Sequence, residues 1–278
     1  MKIMVLNSSG SVGKSTITRE LFAPRLNNPL IVEVEGQNKS SKDFRPNSKY
    51  YDVWVFDGDF DNFYLKLIEN QDVIVDVGAS QLQNFFSGLE KVSGIESLFD
   101  YFIVPTLSND KAVEDTAKTV VFLRNYNIED EKIKVIFNAV KRDVESEFKL
   151  LLDAFKAINF KYDRDLFIRD NKVFNELGIM RKTLLDVYNP DLNAYKERIL
   201  NEKDPKKKIA LVKVDMANRL GHTAIDDLDF VFEKISGQKD VFKNKFKAKA
   251  PSVEKEVKKE VKKEAEVEEV NAAEDDDL

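Results

Sequence analysis

The chain has 278 residues and a formal net charge of −6, with 42% hydrophobic residues. That length suits one large α/β domain or two small ones, and that apolar content supports a sizeable core. The absence of cysteine excludes disulfides, thiolate metal sites and iron–sulfur clusters, and a single histidine, His222, argues against a histidine-based metal site.

The acidic balance gives no global attraction to nucleic acid, although a local basic face stays open. His222 reads as a surface or helix-cap residue. The start, Met1-Lys2-Ile3, carries no signal-peptide pattern, because its apolar run is short and enters a polar loop at once. No apolar segment approaches ~20 residues, so no membrane span is expected.

The first apolar run, Ile3-Met4-Val5-Leu6, leads into Asn7-Ser8-Ser9-Gly10-Ser11-Val12-Gly13-Lys14-Ser15-Thr16. A helix-compatible segment, Ile17 to Ala23, leads out. Strand, glycine-bearing loop, Gly-Lys-Ser and helix together describe a phosphate-binding P-loop. Glycines let backbone N–H groups turn inward around a polyphosphate, and the helix N-terminus adds partial positive charge. In such a loop Lys14 bridges the outer phosphates and the Ser15 hydroxyl holds Mg²⁺. One position departs from the pattern: Ser8 stands where a glycine six residues before the lysine is usual. The bland alternative is an ordinary strand–turn–helix with a surface lysine.

Pro24 ends or kinks the first helix. Leu30-Ile31-Val32 begins a second buried strand that delivers Glu33-Val34-Glu35-Gly36-Gln37-Asn38. Alternation puts Glu33 and Glu35 on one side. Acids at the end of a buried parallel strand lie where open α/β sheets bind ligands. Glu35 is therefore a candidate to orient water or a magnesium-bound water, against the alternative of a solvated loop acid.

Residues 39–49 read as a polar loop. Tyr51 to Phe56 is a strand ending at Asp57, and Phe60 to Ile68 a short helix. Val73-Ile74-Val75 is a strand closed by Asp76-Val77-Gly78-Ala79-Ser80. An apolar strand closed by Asp is the Walker B pattern, whose carboxylate holds the magnesium shell. Asp57 competes for the role, and Gly78 in a phosphate-sensing position favours Asp76. Further elements follow: a helix from Gln81 to Lys91, a strand from Tyr101 to Pro105, an amphipathic helix from Ala112 to Tyr126, and a strand from Lys134 to Phe137 ending at Asn138. Glu145 to Ile158 is a helix whose Phe148, Leu151, Leu152 and Phe155 mark a core face. Leu166 to Ile168 is a short strand running into Arg169-Asp170-Asn171, and helices dominate from Val173 to Ile235. Alternating strands and helices predict a mostly parallel central β-sheet wrapped by helices on both faces.

Residues 1–237 thus form one expected domain and 238–278 a charged tail, lysine-rich first and acidic last. The tail has too little apolar area to fold alone and reads as disordered, with Glu-Lys pairs that support a transient helix. A sharper reading makes it a contact arm, with Lys243, Lys245, Lys247 and Lys249 touching nucleic acid.

These motifs, in this order, resemble the ParA/MinD group of P-loop ATPases over roughly residues 1–235. The resemblance runs through Asn7 to Thr16, Glu33 to Asn38, Asp76 to Ser80, Val104-Pro105, Phe137-Asn138 and Ile168 to Asn171. It implies a bacterial, cytoplasmic, nucleoid-associated ATPase acting in plasmid or DNA partitioning, stability or conjugative mobilisation. ATP and Mg²⁺ are the implied cofactors. The implied nucleotide contacts are Ser9, Gly10, Ser11, Val12, Gly13, Lys14, Ser15, Thr16, Asn138 at the adenine edge, and Arg169 in a segment closing over the adenine. Lys14, Glu35 and Asp76 would serve catalysis, and Ser15, Asp76 and Glu35 the metal. Implied partners are a second copy bound with ATP and a small DNA-binding adaptor protein. Two departures stand out. Ser9 occupies the position of the group's second lysine, and both switch-I acids are Glu. The serine-bearing loop is most similar to the plasmid-stability StbB-like proteins. Two other readings compete: a nucleotide-binding scaffold that does not hydrolyse, and a small-molecule kinase or ligase. The kinase needs a substrate pocket beside the phosphates, and the sequence offers no constellation for one.

Overall fold

The structure, a computed structural model, describes residues 1–35, 51–92 and 94–247. By contacts the chain divides into a unit Met1–Lys239 and a second beginning at Asp240. Among the described residues the first unit has seven strands: β1 (Lys2–Val5), β2 (Leu30–Val34), β3 (Asp52–Val55), β4 (Val73–Val77), β5 (Tyr101–Thr106), β6 (Ile133–Val140) and β7 (Phe167–Arg169). They pair in the order β3-β2-β4-β1-β5-β6-β7, and every pairing is parallel. Continuous apolar runs suit this architecture, since a parallel sheet is covered on both faces.

The helices are α1 (Lys14–Thr16), which runs on as π-helical turns over Ile17–Phe22, α2 (Phe60–Glu69), α3 (Leu82–Leu89), α4 (Asp110–Asn125), α5 (Val144–Glu147), α6 (Lys149–Ala157), α7 (Val173–Met180), α8 (Leu184–Val187), α9 (Lys196–Asn201) and α10 (Pro205–Ser236). Side-chain alternation sorts the sheet into two faces. Met4, Val32, Val75, Val104 and Val135 join one cluster with Phe63, Phe85, Leu123 and Leu151. The intervening Ile3, Val5, Ile31, Ile74, Ile103 and Ile136 are buried outside that cluster, on the other face. There the first helical stretch meets α10: the Phe22 and Phe232 rings touch edge to face, centroids 6.2 Å apart. The expected two-sided α/β sheet is therefore the observed one.

Local differences have local causes. The helix expected from Glu145 to Ile158 is broken between α5 and α6 at Phe148, whose buried ring packs on Phe137 with centroids 4.9 Å apart. The π-helical turns after α1 leave late carbonyls without helical partners. Arg25 serves two of them, donating from Nη1 to the Glu20 and Leu21 carbonyl oxygens at 2.8 and 2.9 Å. His222 is neither a cap nor a free surface group. It sits inside α10, its Nε2 meeting the Asn189 carbonyl at 2.9 Å.

The second unit is described only as α11 (Val241–Lys247), so a helix begins the segment expected to be disordered. The rest of that segment, Lys249 included, lies outside the described residues, as do Gly36, Gln37, Asn38 and the loop expected over 39–49. Among the described residues no helix is long and apolar enough to cross a membrane.

Candidate functional site

The loop after β1 is held from below by a buried polar network. Asn7 is fully buried; its Nδ2 donates to the Pro105 carbonyl (2.8 Å) and to Thr116 Oγ1 (2.9 Å). Its Oδ1 accepts from the Ser9 N–H at 2.8 Å. Thr116 in turn reaches Thr106 Oγ1 at 2.8 Å, and Thr119 Oγ1 accepts from the Ser8 N–H at 3.1 Å. These bonds tie the start of the loop to β5 and α4. Buried polar groups that satisfy one another in this way rigidify their surroundings.

The loop then turns through two left-handed residues, Ser11 at φ 59° and Gly13 at φ 95°. Gly13 is required twice over. Its φ suits glycine, and a Cβ there would stand 2.3 Å from Asn138 Nδ2. The turn ends at the N-terminus of α1, where Lys14 and Ser15 follow.

Lys14 is buried, and its Nζ donates to the carbonyl oxygens of Asn7 (3.2 Å) and Ser9 (2.7 Å). Burial lowers its pKa, opposed by the charges of Asp76 and Glu35. Asp76 alternates with Val75 and Val77 and so projects to the α1 face of the sheet, where the Ser15 side chain favours its charged form. Burial pushes its carboxyl up to about 6. The Ser15 hydroxyl and the Lys14 and Arg19 charges pull it down, and Glu35 adds to the rise.

Asp76 lies within β4 rather than after it, because Val77 continues the ladder opposite Val34. The Gly78 N–H then donates to the Val34 carbonyl at 2.8 Å, joining the ends of β2 and β4. A cavity of about 610 Å³ opens here. Gly10, Ser11, Gly13, Lys14, Ser15 and Thr16 form one side, and Glu35, Gly78, Ala79 and Ser80 the other.

Seven of the expected site residues therefore share one cavity, with Asp76 behind Ser15. Others stand apart from its walls. Ser9 is almost completely buried and offers Lys14 its carbonyl. The Val12 carbonyl accepts from Asn138 Nδ2 at 3.1 Å, so the Asn138 amide rests on the loop's backbone. Arg169 is held by Asp227 of α10, with Nε at 2.9 Å from Oδ1. Asp57, the rival of Asp76, closes the edge strand β3 and accepts from the Asp59 N–H at 3.1 Å.

The donor set suits magnesium: a carboxylate and a hydroxyl are hard oxygen ligands, and Mg²⁺ takes few protein groups beside phosphates and water. Among the described residues no cluster of three or more His, Cys, Asp or Glu forms a self-sufficient metal cage. Sequence reasoning missed Asn7, Thr116 and Thr119 as supports of the loop. Their signal was two threonines three residues apart on the buried face of α4.

The sequence matches no family model and no curated protein. Solved structures with some likeness include a plasmid partition protein from Borrelia burgdorferi B31 bound to AMPPNP, at 16% identity over 78% of this chain and 98% of that one, TM-score 0.46. The MinC:MinD cell division protein complex from Aquifex aeolicus gives 15% identity over 80% and 95%, TM-score 0.49. A ParA family ATPase from Chlorobium tepidum TLS gives 15% over 78% and 96%, TM-score 0.45. At these values the chemistry of the site rests on this chain's own residues.

Proposed function

We propose that this protein is a magnesium-dependent ATPase that works as a slow molecular switch. The observation that carries the reading is a single cavity with Lys14 and Ser15 of the loop on one side and Glu35 and Gly78 on the other, where the charge of Asp76 acts on Lys14. The loop's N–H groups would cradle the phosphates, with Lys14 turned from its own carbonyls to the outer ones. Ser15 and Asp76 would hold Mg²⁺, which supplies charge neutralisation between the β- and γ-phosphates. Glu35 would orient a water for attack on the γ-phosphorus as the bond to ADP breaks. Gly78, tied to Val34, would transmit the presence of the last phosphate to β2 and β4.

The setting in plasmid or DNA partitioning, with an ATP-dependent second copy and a small DNA-binding adaptor, rests on the sequence resemblance. Adenine recognition by Asn138 and closure by the Arg169 segment rest on it too. The test is titration of a fluorescent ATP analogue with and without Mg²⁺, followed by phosphate release. Mg²⁺-dependent binding with slow release supports the reading. No binding at millimolar nucleotide overturns it, and binding without release favours the non-hydrolysing scaffold.

One observation favours the small-molecule kinase or ligase reading. A second cavity of about 540 Å³ shares Ala79 and Ser80 with the first and is lined by polar groups including Ser8, Asn84, Asp115 and Lys118. A nucleotide turnover that rises with an added small-molecule acceptor distinguishes that reading from the switch.

A further inference from the structure

The first turns of α10 leave the protein's core. No residue from Pro205 to Met216 is buried, yet this half carries Ile209, Leu211, Val212, Val214 and Met216. It forms because Asp204 caps it, accepting from the Lys206 and Lys207 N–H groups, with Pro205 in the first turn. Ile209 is 60% exposed, and Leu200 on α9 is 67% exposed.

Between α9 and this half of α10 lies an open groove of about 740 Å³. Its floor is Ala210, Leu211 and Val214, which share one helical face with Lys207. Four cations rim it: Lys182, Arg198, Lys203 and Lys207. None of the four takes part in an ion pair among the described residues. Arg198 is oriented by Tyr195, its guanidinium carbon 5.7 Å from the ring centroid. The one acid in the groove, Glu202, is engaged locally, accepting from the Asp204 N–H at 2.9 Å.

An unpaired basic rim is notable on a chain whose formal charge is −6. Charge complementarity calls for an anionic occupant. Phosphates alone would meet the cations and leave the aliphatic floor in water. A segment with acids on one side and leucine-like residues on the other covers both. We propose that this groove binds an acidic, leucine-bearing segment of a partner protein. The proposal uses no residue of the nucleotide cavity, so its failure leaves the nucleotide reading intact.

The test uses the full chain and three probes: a short fluorescein-labelled peptide with glutamates and leucines at helical spacing, its glutamine-for-glutamate counterpart, and a short DNA duplex. Expected is binding of the acidic peptide that weakens with salt, and no binding of the glutamine counterpart. Lys203→Glu combined with Lys207→Glu should weaken it at least about tenfold. Leu211→Ser should weaken it as well, with ATP-analogue affinity and melting temperature unchanged in both variants. The proposal is overturned if the wild type does not bind the acidic peptide, or binds it equally after charge reversal. It is also overturned if the duplex displaces the peptide at a lower concentration than unlabelled peptide does, which assigns the groove to nucleic acid.

Discussion

Lys14 Nζ donates to the carbonyl oxygen of Ser9 across 2.7 Å. The cation proposed to meet the outer phosphates is held by its own loop. In the proposed function, nucleotide would draw Lys14 away from two carbonyls, replacing neutral acceptors with charged ones. Charged hydrogen bonds contribute ~1.5–3 kcal/mol each.

Lys14→Ala should accordingly weaken ATP-analogue binding by roughly 10- to 100-fold. Fluorescence titration checks it, with a thermal melt to show that the fold persists. Unchanged affinity would remove the phosphate-binding role.

Glu35→Gln should leave binding near the wild-type value and slow hydrolysis by about 10²-fold or more, as loss of a positioned base does. Glu35 borders the cavity opposite the loop, and its backbone follows directly on β2. Single-turnover phosphate release measures the effect. Equal rates in the two proteins would exclude Glu35 from the chemistry.

Gly88→Ala tests the packing that carries the sheet's first face. Alanine normally stabilises a helix interior over glycine by ~1 kcal/mol. Here a Cβ would stand 2.0 Å from the Phe60 ring, which is packed against Phe56, Phe63 and Phe85. Overpacking costs typically ~1–3 kcal/mol, so the substitution should destabilise. A melting temperature at or above wild type would show that the ring yields freely.

The central strands were legible because each carries an apolar run, as in Ile3-Met4-Val5, Leu30-Ile31-Val32 and Val73-Ile74-Val75, which burial on both faces favours. The loop was legible because its glycine, lysine and hydroxyls recur at a fixed spacing. Their supports were not. Asn7 and Thr116 lie far apart in sequence, and the fold alone brings them to 2.9 Å. Arg25 and Asp229, 2.8 Å apart across the buried contact of the first helical stretch with α10, are separated by 204 positions. The end of β4 was misjudged at Asp76 because the pairing of Val77 with Val34 has no local signature.

That same contact between the first helical stretch and the C-terminal helices makes stability depend on pH. Glu20 is buried, and its Oε2 accepts from the Leu184 N–H at 2.9 Å. Burial pushes its carboxyl from an ordinary 4.5 up to about 7. The Leu184 bond and the charges of Arg19 and Arg25 oppose the rise, and Asp186 adds to it. The folded state thus holds this proton more tightly than the unfolded chain does. Its contribution is fully present below the unfolded value and is lost as pH rises through about 7. The loss amounts to about 3 kcal/mol at alkaline pH, at 1.36 kcal/mol per unit. Asp76, raised to about 6, acts in the same sense over a lower window. Glu20→Gln keeps an oxygen for the Leu184 N–H and removes the charge. The variant should melt higher than wild type at pH 8 and about equally at pH 5, leaving the smaller Asp76 dependence in place. Parallel melting profiles for the two proteins across that range would show that Glu20 does not hold its proton in the fold.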